Sequence, residues 1–149
     1  MPASDLAKVR SIVAAANRPV SGAQKPVLLI GAHAAAAAQV IVREIRGTLY
    51  RVDLSAVVSK YIGETEKNLS RVFAEAEANG ALLMFDEADA LFGKRTTVKD
   101  AHDRFAEVNL LLSLAAQRTR LVILVSGQRL TLPAALRDRL AIVRFPPGT

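Results

Sequence analysis

The sequence predicts an α/β fold, a mostly parallel sheet of five strands with helices on both faces. Two observations carry this. Short continuous apolar runs at 27–30, 81–85 and 121–125 have the length and composition of strands buried on both faces. Longer segments between them repeat their apolar residues at helical spacing. Strands that alternate with helices build parallel sheets through crossover connections. A third observation locates the functional edge. The run at 81–85 ends on Asp86-Glu87, and in open sheets of this type ligands bind outside the carboxyl ends of the strands.

Taken in order, Leu6, Val9, Ile12, Val13 and Ala16 follow helical spacing, with Ser4 placed to cap their helix. A turn-rich linker covers 18–26, so the chain divides into a helix with linker at 1–25 and a core at 26–149. Strand 27–30 ends at Gly31, and 34–46 reads as a helix that opens on five alanines. Residues 49–53 form a second strand. The helix 64–79 carries the stripe Leu69, Val72, Phe73 and Ala76 and stops at Gly80. Strand 81–85, a charged loop at 93–100, a helix at 101–118 and strand 121–125 follow. Pro133 fits the first turn of a short helix, and strand 141–145 ends at Pro146-Pro147.

Composition narrows the function classes. With 149 residues, 51% apolar and 23% charged, the chain can bury a real core and is not of disordered type. It has no cysteine, which excludes a disulfide framework or a thiolate metal site. No apolar run reaches the ~18 residues of a membrane span, and no secretory signal pattern opens the chain. The expectation is a soluble, cytoplasmic protein without a membrane partner. The net charge of +6 is scattered rather than clustered, with few aromatics between the basic residues. That reads as a solvated surface and gives a nucleic-acid face little support.

The chemistry centres on Leu82-Leu-Met-Phe-Asp86-Glu87. In a Walker B site the Asp holds Mg²⁺, usually through water, and the Glu orients or activates the attacking water. A buried strand followed by an acidic helix cap would look similar in isolation. The context decides between them. Residues 57–68, Val-Val-Ser-Lys-Tyr-Ile-Gly-Glu-Thr-Glu-Lys-Asn, and 84–95, Met-Phe-Asp-Glu-Ala-Asp-Ala-Leu-Phe-Gly-Lys-Arg, closely resemble the AAA family of P-loop ATPases. Asp100-Ala-His-Asp-Arg104 and Leu136-Arg-Asp-Arg-Leu140 are similar in the same order. The resemblance runs from Pro26 to Pro146.

That resemblance implies the AAA large subdomain, with strand order 5-1-4-3-2, and ATP with Mg²⁺ as cofactors. It implies Asp86 as metal residue, Glu87 as catalytic residue, and Arg137 and Arg139 at the place of arginine fingers that reach a neighbouring subunit. Ser126 stands at the first sensor, with Gly127 where relatives often carry Asn. Lys60-Tyr61-Ile62-Gly63 matches the first pore loop, whose aromatic residue grips a polypeptide in ring-forming relatives. The helical lid and its second sensor are not expected before Thr149, so self-association, or pairing with related AAA subunits, is expected to be weak.

One motif departs from the family. The phosphate loop reads Gly-x-x-x-x-Gly-Lys-Ser/Thr, but here the stretch is Gly31-Ala-His-Ala-Ala-Ala-Ala-Ala38. Aligned from the strand, Ala37 and Ala38 replace the Lys and the hydroxyl residue. Aligned back from Gln39, the loop is about three residues short and Ala34 replaces the Lys. Alanine resists the positive φ of a phosphate nest by ~1–2 kcal/mol per residue and favours helix. Gly31, His33, Ala37, Ala38 and Ser126 are what is left to meet a nucleotide. The expectation is a degenerate or redesigned ATPase core with weak or no ATP binding; the alternatives are a working ATPase with a non-standard loop and a basic nucleic-acid-binding module. Without bound Mg²⁺, Asp86 and Glu87 are expected to repel.

Overall fold

The computed structural model describes residues 3–18, 25–93, 98–118 and 120–145, with the backbone alone over 98–104. In chain order the elements are α1 (Ala3–Asn17), β1 (Val27–Ile30), α2 (Ala34–Glu44), β2 (Leu49–Asp53), α3 (Leu54–Val57) and α4 (Glu64–Ala78). They continue with β3 (Leu82–Asp86), α5 (Asp89–Phe92), α6 (Val98–Ala116), β4 (Val122–Ser126), α7 (Ala134–Arg137) and β5 (Ala141–Arg144). The sheet has the order β2-β3-β4-β1-β5, and every pairing is parallel. Read from its other edge this is 5-1-4-3-2, the order expected.

Alternation along each strand splits the core in two. Leu28, Ile30, Leu83, Phe85, Val122 and Leu124 face α4, α5 and α6. Val27, Leu29, Leu82, Met84, Ile123 and Val125 face α2 and α1. Strands β1, β3 and β4 are buried on both faces, as their unbroken apolar runs require. The outer strands β2 and β5 are partly exposed. Helix α1 adds Val9, Ile12 and Ala16 to the core beneath α2.

Several boundaries differ from the sequence expectation. Strands β3 and β4 start and end one residue later, because Asp86 and Ser126 continue the ladder opposite Asp53 and Ile30. Pairing, not polarity, sets a strand's end. Ser4 lies inside α1 rather than at its cap. Helix α2 stops two residues early, at Glu44, with Ile45 extended. Helix α6 begins at Val98, within the stretch expected to be loop, and ends at Ala116. Residues 94–97, most of the linker at 18–26 and the closing prolines lie outside the described residues.

Helix α4 ends as read. Gly80 takes φ +59, its N–H donates to Glu77 C=O at 3.1 Å, and Ala81 N–H donates to Ala76 C=O at 2.9 Å. This is a Schellman closure, in which the left-handed residue is glycine because a Cβ would be strained there. It delivers the chain directly into β3.

A candidate nucleotide edge at the carboxyl ends of the strands

The strand ends of β1, β3 and β4 and the residues after them line one edge of the sheet. At the first of these, Gly31 takes φ +127 and donates its N–H to Ser126 C=O at 3.1 Å. A Cβ at Gly31 would collide with the Phe145 carbonyl oxygen. Glycine is therefore required both by the backbone angle and by the close approach of Phe145, just after β5. Only Gly31, Ala32 and His33 separate β1 from α2. Ala34 N–H donates back to Gly31 C=O at 3.1 Å, and Ala37 N–H to His33 C=O at 3.0 Å. His33 is the N-cap residue, with φ −99 and no side-chain cap hydrogen bond. Ala34, Ala37 and Ala38 are all 0% exposed and pack against the sheet and α1.

The second strand end is open. Asp86 closes β3 in register with Asp53 of β2. Its carboxylate accepts two bonds from Arg51, Nε to Oδ2 at 2.6 Å and Nη2 to Oδ1 at 3.2 Å. The two side chains are 33% and 27% exposed, so the pair is partly shielded from water. A bidentate guanidinium–carboxylate pair is the strong form of this contact. Arg51 carried no signal in the sequence: it meets Asp86 only because β2 lies beside β3. The expected repulsion between Asp86 and Glu87 is accordingly revised, since Asp86 has a cation of its own.

Glu87 takes φ +57, the only non-glycine residue with positive φ among the described residues. An L-residue in this conformation costs ~1–2 kcal/mol. What holds it is the next residue: Ala88 is fully buried, and its N–H donates to Val125 C=O at 2.9 Å. The kink leaves the Glu87 side chain exposed at the edge.

The remaining predicted positions are scattered around this edge. Ser126 is fully buried. Its hydroxyl accepts from Gln128 N–H at 3.2 Å and donates to Gln128 C=O at 3.0 Å, with Asp89 Oδ1 a second acceptor at 3.4 Å. Its one donor and one of its two acceptor sites are therefore engaged inside the chain. Arg139 donates to Asn109 Oδ1 and, at 3.4 Å, to Ser113 Oγ, both on α6. Arg137 is exposed on α7, and its side chain makes no hydrogen bond or ion pair among the described residues. Tyr61 and Ile62, in the turn before α4, are 64% and 90% exposed. The side chains of residues 100–104 lie outside the described residues. No helix among the described residues is long and apolar enough to cross a membrane.

A five-stranded parallel sheet of this order, with an acidic pair at the end of its third strand, defines the α/β core of a P-loop-type ATPase. The chain matches the family described as "ATPase family associated with various cellular activities (AAA)" over residues 34–147, and it belongs to that family. It is 35% identical over 92 residues to "ATPase family gene 2 protein" of Schizosaccharomyces pombe, covering 60% of this chain and 11% of that protein. It is 35% identical over 75 residues to "Uncharacterized AAA family ATPase y4kL" of Sinorhizobium fredii, covering 50% of this chain and 23% of that one. The chain thus spans well under a third of the length of these relatives.

Proposed function

We propose that this chain is an AAA large-subdomain module whose ATP binding and hydrolysis are lost or strongly impaired, and whose value lies in its scaffold or in assembly. One observation supports this above others. The connection Gly31–His33 holds no lysine and no hydroxyl, and the alanine at the lysine position on either alignment, Ala34 or Ala37, is fully buried. Phosphoryl transfer in P-loop ATPases is positioning plus charge stabilisation, with little covalent help from the protein. A nucleotide here lacks the lysine, the neighbouring hydroxyl and the glycine nest. The two lost charged contacts are worth ~1.5–3 kcal/mol each, together about two to four powers of ten in affinity. Family membership suggests ATP and Mg²⁺; on this reading both bind weakly or not at all.

Calorimetric titration with ATP, with and without Mg²⁺, tests the proposal. Binding no tighter than about millimolar, and no phosphate release above background, are expected. Sub-millimolar binding with turnover that Glu87→Gln abolishes would overturn it.

A second reading is an active ATPase completed by a neighbouring subunit. The observation that favours it is Glu87, held exposed in a left-handed conformation of the kind that collects at functional sites. Exposed Arg137 would then be the residue that reaches across a subunit boundary, with Arg139 tied to α6. Tyr61 and Ile62 would face a polypeptide in a ring. Light scattering separates the readings: a monomer or weak dimer is expected, and a stable hexamer favours the second.

A further inference from the structure

The family implies a Mg²⁺ ion at Asp86, and the residues around Asp86 do not fit one. The metal of such a site is held by one or two carboxylates, a phosphate-loop hydroxyl and the nucleotide's own phosphates. Here the hydroxyl position is alanine on either alignment. Among the described residues no group of three or more His, Asp or Glu is placed to hold a metal ion. Both oxygens of Asp86 are already engaged by Arg51. A guanidinium stays charged at every working pH and its planar fork matches a carboxylate. A hydrated divalent ion drawn to the same carboxylate would stand against that fixed positive charge, in a site partly shielded from water.

We infer that Arg51 takes the place of the metal at Asp86, so that the charge of this strand end is balanced by a tethered cation and divalent ions are excluded. The inference rests on reading 82–87 as a Walker B strand. Arg51 is here a positioning and competing residue: it touches no reacting atom and acts only through Asp86. Its place in β2 explains how it reaches. It stands opposite Met84, two residues before Asp53, which faces Asp86. The three residues Arg51, Met84 and Asp86 therefore share one face of the sheet, and the guanidinium has only to bend toward the carboxyl edge.

The probe is Mn²⁺, followed by electron paramagnetic resonance on nucleotide-free protein. The variants are Arg51→Gln and the double variant Arg51→Gln with Asp86→Asn. The unaltered protein should bind Mn²⁺ no better than the double variant. Arg51→Gln alone should bind about tenfold tighter than either. It should also melt ~2–4 °C lower in a chelator and regain that loss when Mn²⁺ is added, while the unaltered protein does not respond. If the unaltered protein binds Mn²⁺ as tightly as Arg51→Gln, or if Arg51→Gln gains no metal response, the inference is overturned. Arg51→Lys, which keeps a charge but loses the fork, covers the case in which Arg51→Gln does not fold; it should show an intermediate affinity, and one equal to the unaltered protein counts against the inference. ATP binding by the unaltered protein would overturn the proposed function without touching this result, because no nucleotide is present in the metal assay.

Discussion

Two turns leave the same edge of the same sheet, and they are built on opposite principles. The turn after β1 is short and closed. Its backbone folds back within three residues, and the helix it starts presents alanines to the core. The turn after β3 is held open and charged. Asp86 carries a guanidinium, and Glu87 is kept exposed at a cost in backbone strain. In a P-loop ATPase the two turns act together, one holding phosphates and the other the metal and the water. Here the turn after β1 leads straight into buried alanines, while the turn after β3 ends on an acidic pair at the sheet edge. The difference teaches that one edge of a sheet can carry a turn built on packing beside a turn built on charge within the same fold. Small apolar residues at α2 strengthen the contact with α1 and the sheet, whereas Glu87 is left exposed among the described residues.

The comparison is broken most sharply at α2. Ala37→Lys places an ammonium group at a fully buried position. It should cost roughly 4 kcal/mol or more, seen as a thermal melt lowered by well over ~8 °C or as failure to fold. It should not create ATP binding. Ala36→Lys, one residue away and exposed, should stay within ~0.5 kcal/mol of the unaltered protein. Equal tolerance at both positions would mean that α2 does not pack as described.

Rebuilding the closed turn should open it. Replacing residues 31–35 with Gly-Pro-Pro-Gly-Thr-Gly-Lys-Thr restores the three missing residues and places the lysine where α2 begins. A gain in ATP affinity of about two to four powers of ten is expected by calorimetry. No gain would show that more than the loop is missing.

At the open turn the effects are smaller. Glu87→Gly removes the left-handed strain and should raise stability by ~1 kcal/mol, a melt ~2–4 °C higher. Glu87→Gln, which keeps the Cβ, should leave the melt unchanged. A loss on Glu87→Gly would mean that the side chain is held by contacts that offset the strain. Smallest of all, Asp86→Asn should cost up to ~1 kcal/mol through the Arg51 pair, with the deficit shrinking as salt is raised. A variant more stable than the parent would return Asp86 and Glu87 to simple repulsion.

The sequence by itself determined the class of fold, because both-face burial writes β1, β3 and β4 as unbroken apolar runs and a stripe with a closing glycine writes α4. It also determined the acidic pair and the absence of a lysine from residues 31–38, which are matters of residue type. The short helices α3 and α5 are too brief for helical spacing to show in the sequence. The first had a local signal in Asp53, whose side chain accepts from Ser55 N–H at 2.9 Å as an N-cap. The start of α6 was missed because a charged, breaker-free stretch gives no apolar stripe to count. Three things were decided only by tertiary structure. The register of β2 against β3 brings Arg51 to Asp86 from 35 residues away. The packing of α1 over α2 buries Ala34, Ala37 and Ala38, whose helical spacing alone does not say which partner covers them. The bond from Ala88 to the β4 backbone forces Glu87 into its left-handed turn. Each is a contact between strands or helices distant along the chain, and composition and spacing describe only neighbours.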